Sequence, residues 1–217
     1  MNTLYLLNGP PRVGKTTIMN SLVAETNVQL VSADALEHGL RNVLTGEPHQ
    51  MLREIEFSGY AEHKSSFTKI GERKSFSNSG TESSLLLDLI TGMFDYYLRN
   101  KGSVALEGTE FHPEWIAGLE MPGFDIKAAF VGYTDPSHVE TILAHAQKND
   151  HDWINEWLEQ NGGDDAEIRA WAQKESLRSS RVKVEAESHG YPFFDICNQP
   201  FEQYKTSVLE YFMRPSL

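Results

Sequence analysis

Cysteine is nearly missing from this chain: Cys197 is the only one, so no intramolecular disulfide can staple the fold. Positive charge is scarce as well. Lys and Arg total 19 against 31 Asp and Glu, a formal net charge of −12, and such a field repels nucleic-acid phosphates and anionic membrane surfaces. Long apolar runs are absent; none approaches the ~20 residues of a spanning helix, and the N-terminus enters an expected strand without a cleavable signal pattern. These absences predict a cytoplasmic protein that binds neither nucleic acid nor membrane. A dedicated zinc site is also not expected, because none of the eight His falls in an HExxH pattern or a Cys/His cluster. His138 and His145 form only an i, i+7 pair.

What is present suits a packed α/β fold. Hydrophobic residues make up 40% of the 217, enough for a core, and the length favours one domain, 1–217, over two. Short apolar runs predict strands at 3–8, 28–32, 103–107, 126–132 and 192–196. Helical spacing predicts helices at 15–25, 34–44, 82–100, 136–147, 165–189 and 200–213. Alternation of the two implies a parallel sheet covered on both faces. Start signals support several helices: Asp34 with Glu37 and Asp164 with Glu167 have capping-box spacing, and Asp135 precedes Pro136. The polar stretch 45–80, rich in Ser, Gly, His and Lys, reads as an insertion over a ligand or as a long loop.

The chemistry is concentrated in Gly9-Pro10-Pro11-Arg12-Val13-Gly14-Lys15-Thr16, which fits GxxxxGK[ST] between an expected strand and an expected helix. Gly9 and Gly14 permit the close approach and backbone conformations that aim successive N–H groups at phosphate oxygens. Lys15 carries a charge to the β- and γ-phosphates, and the Thr16 hydroxyl can ligate Mg²⁺. With Thr17 completing the helix start, residues 9–17 form the expected ATP site. No NKxD-like or LSGGQ-like segment occurs, which disfavours a guanine-reading GTPase and a transporter ATPase.

Two carboxylates are expected beside this loop. The strand Ser103-Val104-Ala105-Leu106-Glu107-Gly108 delivers Glu107 at its carboxyl end, where it can hold Mg²⁺ or orient a hydroxyl; the alternative is an ordinary strand-end residue. After the second strand, Asp34, His38 and Arg41 share one helical face. Asp34 is the candidate general base and Arg41 the candidate clamp for an acceptor's anionic group, the alternative for Asp34 being a plain helix cap. Later, Lys174, Arg178 and Arg181 fall at i, i+4 and i+7, a basic stripe able to neutralise a transferred phosphoryl group, or else paired with Glu175 and Glu185. The acidic segment Lys148-Asn149-Asp150-His151-Asp152-Trp153 fits the same lid, with Trp153 and Trp157 read as packing residues.

On these residues the chain resembles small-molecule kinases of the adenylate-kinase-like P-loop group, including 2-phosphoglycerate kinase-like, chloramphenicol phosphotransferase-like and zeta-toxin-like proteins. The resemblance rests on the loop at 9–16, the segment Ser32-Ala33-Asp34-Ala35-Leu36, the strand end Ala105-Leu106-Glu107-Gly108-Thr109 and the late arginine helix. It implies a three-layer αβα P-loop NTPase fold with a five-stranded parallel sheet, ATP with Mg²⁺, an acceptor region at 34–100 and a lid at 148–181. It also implies adenine near Asn198-Gln199-Pro200, and an arginine where this chain has Glu37. The expected activity is transfer of the γ-phosphoryl group to a hydroxyl of a small metabolite. Lys15, Asp34, Arg178 and Arg181 are the catalytic candidates, Thr16 and Glu107 the metal ligands, and Asp34 and Arg41 the acceptor contacts. Two alternatives stand beside it: a nucleoside or nucleotide kinase stacking a base on Phe or Tyr of 57–96, and a non-enzymatic ATP-binding regulator.

Overall fold

Alternate apolar residues of the central strands point to opposite faces, and each face finds its own layer of helices. In β1 (Asn2–Asn8) Leu4 and Leu6 enter one core and Leu7 the other. In β4 (Phe124–Gly132) Ala128 and Phe130 oppose Ala129 and Val131 in the same way. Burial on both faces is the mark of parallel strands, and each fully buried Leu or Phe contributes about 1.5–3 kcal/mol. The computed structural model describes residues 2–43, 89–90, 92–94, 96–97, 100, 102–119, 121–149, 152–160 and 162–215, without the side chains of 40–43.

The remaining elements are α1 (Lys15–Thr26), β2 (Gln29–Ser32), α2 (Ala33–Val43), β3 (Val104–Gly108), α3 (Pro113–Ala117), α4 (Val139–Ala146), α5 (Trp153–Gln160), α6 (Ala166–Ser188), β5 (Phe193–Asp195) and α7 (Phe201–Met213). Short 3₁₀ turns at Pro136–His138 and Ile196–Asn198 precede α4 and α7. All five strands are parallel in the order β2-β3-β1-β4-β5. One core gathers α1, α4, α5, the first half of α6 and α7 through Ile18, Ile142, Ile154, Ile168 and Val208. The opposite core gathers Phe94, Trp115, Val182 and Ala186, so α6 begins in one layer and ends in the other.

The five expected strands all occur, with ends shifted by no more than a residue or two. Two short helices, α3 and α5, were not expected from the sequence. The described residues between 89 and 100 are helical, as read; the 45–80 insertion, and with it most of the expected acceptor region, lies outside the described residues. Among the described residues no helix is long and apolar enough to cross a membrane.

Candidate nucleotide and acceptor site

The loop between β1 and α1 leaves the sheet under tight constraint. Gly9 donates its N–H to the Gly108 carbonyl at 3.1 Å, and a Cβ on Gly9 would stand 2.3 Å from the Val131 carbonyl oxygen. Only glycine fits there. Gly14, in the left-handed region at φ 77°, then turns the chain into α1, whose first intrahelical bond runs from Ile18 N–H to the Gly14 carbonyl at 3.0 Å. The N–H groups ahead of Ile18 are therefore free of helical partners, and no acidic side chain occupies the first turn to compete for an anion. Lys15 is buried, and its ammonium reaches back to donate to the Pro10 carbonyl at 3.1 Å. From behind, the Phe201 ring packs on Gly14, and the Tyr204 hydroxyl donates to the Val13 carbonyl at 3.1 Å.

Glu107 closes the adjoining edge. It is only 2% exposed at the end of β3, and its Oε1 accepts from the Thr16 hydroxyl at 3.3 Å. Its Oε2 is buried and, among the described residues, has no hydrogen-bond partner. Burying a carboxylate oxygen without a partner is costly, so such an atom calls for a ligand. Two protein oxygens at one place, with phosphate and water completing the shell, is the donor set that Mg²⁺ takes. The donors fit. Among the described residues no group of three or more His, Cys, Asp or Glu could hold a metal ion of the all-protein type.

On the β2 side, Ser32 rather than Asp34 caps α2, its hydroxyl accepting from the Ala35 N–H at 3.4 Å. Asp34 is thereby an exposed residue of the first helical turn, at the carboxyl edge of the sheet. Glu110 stands close to it. The Glu110 carboxylate accepts from the Thr109 N–H at 2.8 Å and from the Thr109 hydroxyl, and burial, followed by the charge of Asp34, pushes its pKa up. The sequence reading passed over Glu110, although its position two residues beyond Gly108 was a usable signal. Asn8 fixes this segment by accepting from the Phe111 N–H at 3.1 Å. His38 is exposed, and the side chain of Arg41 lies outside the described ones.

The basic stripe of α6 divides. Arg178 donates to the Thr109 carbonyl at 2.7 Å and pairs with Glu175 at 3.4 Å, which brings it to the β3 end of the site. Lys174 and Arg181 are exposed, on the solvent side of the helix. Among the described residues Glu185 pairs with no arginine; it accepts from the Glu114 N–H at 3.4 Å. Trp157 packs against the core as expected, whereas Trp153 is 45% exposed, with its edge on Trp171 at 5.9 Å.

At the end of β4, Tyr133 is fully buried with its ring tilted against His138 at 4.9 Å, yet among the described residues its hydroxyl, the His138 Nε2 and the Ser179 hydroxyl have no hydrogen-bond partner. Burial lowers the pKa of His138 against the opposing pull of the Arg12 backbone and Asp195. Arg12 itself, at φ 70°, forms a two-pronged ion pair with Asp152. A left-handed residue other than glycine costs about 1–2 kcal/mol, so this pair holds a strained point of the loop.

No family model matches the chain, and no curated protein matches it. Among solved structures it is similar to a protein of Chloroflexus aurantiacus J-10-fl classed provisionally as a kinase, with TM-score 0.49 and 14% identity over 97% of this chain and 96% of that one. It is also similar to the shikimate kinase of Bacteroides thetaiotaomicron, with TM-score 0.53 and 14% identity over 98% of this chain and 99% of that one. At this identity the second likeness shows the fold alone: an α/β architecture with a five-stranded parallel sheet ordered 2-3-1-4-5.

Proposed function

We propose that this protein is a kinase that moves the γ-phosphoryl group of ATP to a hydroxyl of a small metabolite. The observation that carries the reading is Glu107 Oε2, buried without a partner, while Oε1 holds the Thr16 hydroxyl at the start of the phosphate loop. Backbone N–H groups of the loop and of the first turn of α1 would bind the phosphates, and Lys15 would neutralise their charge. Thr16 and Glu107 would hold the Mg²⁺, whose chemistry there is to draw negative charge from the β- and γ-phosphate oxygens.

Asp34, at the same sheet edge, would take the proton of the attacking hydroxyl, and Arg41, two turns further along the same face of α2, would meet an anionic group of the acceptor. From α6, Arg178 and Arg181 would stabilise the phosphoryl group in flight; the bond of Arg178 to the Thr109 carbonyl supports its part, and the exposure of Arg181 leaves that side chain available. A cytoplasmic setting, where ATP is supplied, goes with this reading. The segment 148–181 would close over the reacting groups and exclude water.

The test is acceptor-dependent ADP release across sugars, hydroxy acids and nucleosides. One class is expected to give saturable turnover, lost in Lys15→Ala by at least a hundredfold, roughly the loss expected for removing a charge aimed at the transition state. ATP binding that raises the melting temperature with no transfer to any acceptor would replace the kinase by an ATP-dependent regulator.

A further inference from the structure

One residue of the phosphate loop is of the wrong type for its backbone. Arg12 sits at φ 70°, where a side chain is strained and glycine is not, and an arginine there needs something to hold it. Both terminal nitrogens of its guanidinium meet one carboxylate: Nη1 donates to Asp152 Oδ2 at 2.7 Å and Nη2 donates to Oδ1. The Asp152 side chain is only 3% exposed, so its charge depends on that partner. The same carboxylate starts α5, since Oδ1 also accepts the Ile154 N–H at 3.0 Å and the Asp152 carbonyl accepts the Asn155 N–H at 2.9 Å. Trp153, next in sequence, lays its ring 5.3 Å from the guanidinium carbon. Ile154 is fully buried in the core beside α1 and α4.

We propose that Arg12 and Asp152 are a positioning pair that holds the phosphate loop in its binding conformation and makes the docking of α5 part of the nucleotide affinity. The inference rests on the phosphate-binding reading of the loop. A planar fork matched to a carboxylate fixes the direction of the arginine as well as its charge, and through it the backbone at Arg12. Loop and α5 thus share one ion pair: whatever loosens the helix start releases a strained residue among the phosphate-facing N–H groups. His145, with Nδ1 3.9 Å from Asp152 Oδ2, lies outside the fork and leaves both of its bonds intact.

The test is a four-protein set in the full chain: wild type, Asp152→Asn, Arg12→Gly and the double variant. Each is titrated with Mg²⁺ and a non-hydrolysable ATP analogue, followed by kcat and KM for ATP. Asn is as good a helix cap as Asp, so α5 keeps its start while the ion pair is lost. Asp152→Asn is expected to weaken analogue binding by roughly tenfold or more, the scale of breaking a buried charge pair, with KM affected more than kcat. Arg12→Gly also loses the pair but relieves the backbone, so its loss should be smaller, and Asp152→Asn should add nothing to it. Wild-type affinity in Asp152→Asn, or an equal cost of that change in both backgrounds, overturns the proposal. Arg12→Lys, which keeps charge without the fork, is the second probe should Asp152→Asn not fold; an undiminished affinity there overturns it too.

If wild type binds neither the analogue nor pyrophosphate, the phosphate-loop reading has failed. The pair is then read by amide exchange in α5, expected to quicken in Arg12→Gly; unchanged exchange overturns the coupling.

Discussion

Thr16 Oγ1 donates to Glu107 Oε1 at 3.3 Å, joining the first turn of α1 to the end of β3 and leaving Glu107 Oε2 buried and unpartnered. The two groups stand 91 residues apart in sequence, and the pairing of β1 with β3, Asn8 beside Gly108, brings them together. An oxygen in that state is stabilised by a cation placed beside it.

Glu107→Gln therefore has a specific signature. The amide fills the same space and removes a buried charge, so the melting temperature should not fall. Affinity for a nucleotide analogue should drop by about tenfold or more in Mg²⁺, the usual loss for a disturbed metal site, and stay unchanged in EDTA. Calorimetric titration in both buffers decides it. An equal loss in both would mean that Glu107 serves the loop rather than the metal.

Gly14 meets two constraints that can be separated. Its φ of 77° disfavours any side chain, and a Cβ would lie 2.5 Å from Phe201 Cε2. Gly14→Ala is expected to destabilise by about 2–5 kcal/mol, backbone strain and overpacking together. Adding Phe201→Leu should recover only the overpacking share. Urea unfolding of the single and double variants checks this, and full recovery would show that the backbone term is absent.

Much of the fold was legible because parallel strands advertise themselves as short, fully apolar runs, and Leu4 to Leu7 or Ala128 to Val131 could hardly be anything else. Helix α3 was not, since the five residues Pro113–Ala117 are too few for a period to show. The loop motif gave Gly9, Gly14 and Lys15 their places directly. The cap of α2 was misassigned because Ser32 and Asp34 are both good caps, and only the chain's path selects Ser32. The link from Arg12 to Asp152 spans 140 residues and has no local pattern at all.

Alkaline pH should unfold this protein through two tyrosines. Tyr133 and Tyr204 are fully buried, and burial raises both phenol pKa values above the ordinary 10.0. A group whose folded pKa lies higher stabilises fully below its unfolded value. That stability is lost as pH rises past about 10, where the unfolded chain releases protons that the folded one keeps. Melting temperatures measured from pH 8 to 11 should fall steeply above that point. Tyr133→Phe should flatten the fall and, because the hydroxyl has no partner, cost nothing near neutrality. A slope identical to that of wild type would remove Tyr133 from the account.

Glu110 and Asp34 make the corresponding prediction on the acid side. Burial first, and the Asp34 charge second, raise the Glu110 pKa above 4.5, against the lowering effect of its Thr109 hydrogen bonds. In that window the folded protein holds a proton that the unfolded chain has lost, so stability falls as pH rises from 4.5 through the raised value. Wild type should therefore gain melting temperature as the pH is lowered from 7 to 4.5 relative to Glu110→Gln, which has no proton to take. Asp34→Asn removes one of the two main causes and should shrink the gain without abolishing it. Parallel profiles for all three proteins would dissolve the pair. The same variants bear on catalysis: two neighbouring carboxyls are useful when one takes the proton and the other is left to act as base. Asp34→Asn should then cut turnover with ATP affinity unchanged, whereas Glu110→Gln, which mimics the protonated partner, should keep most of it.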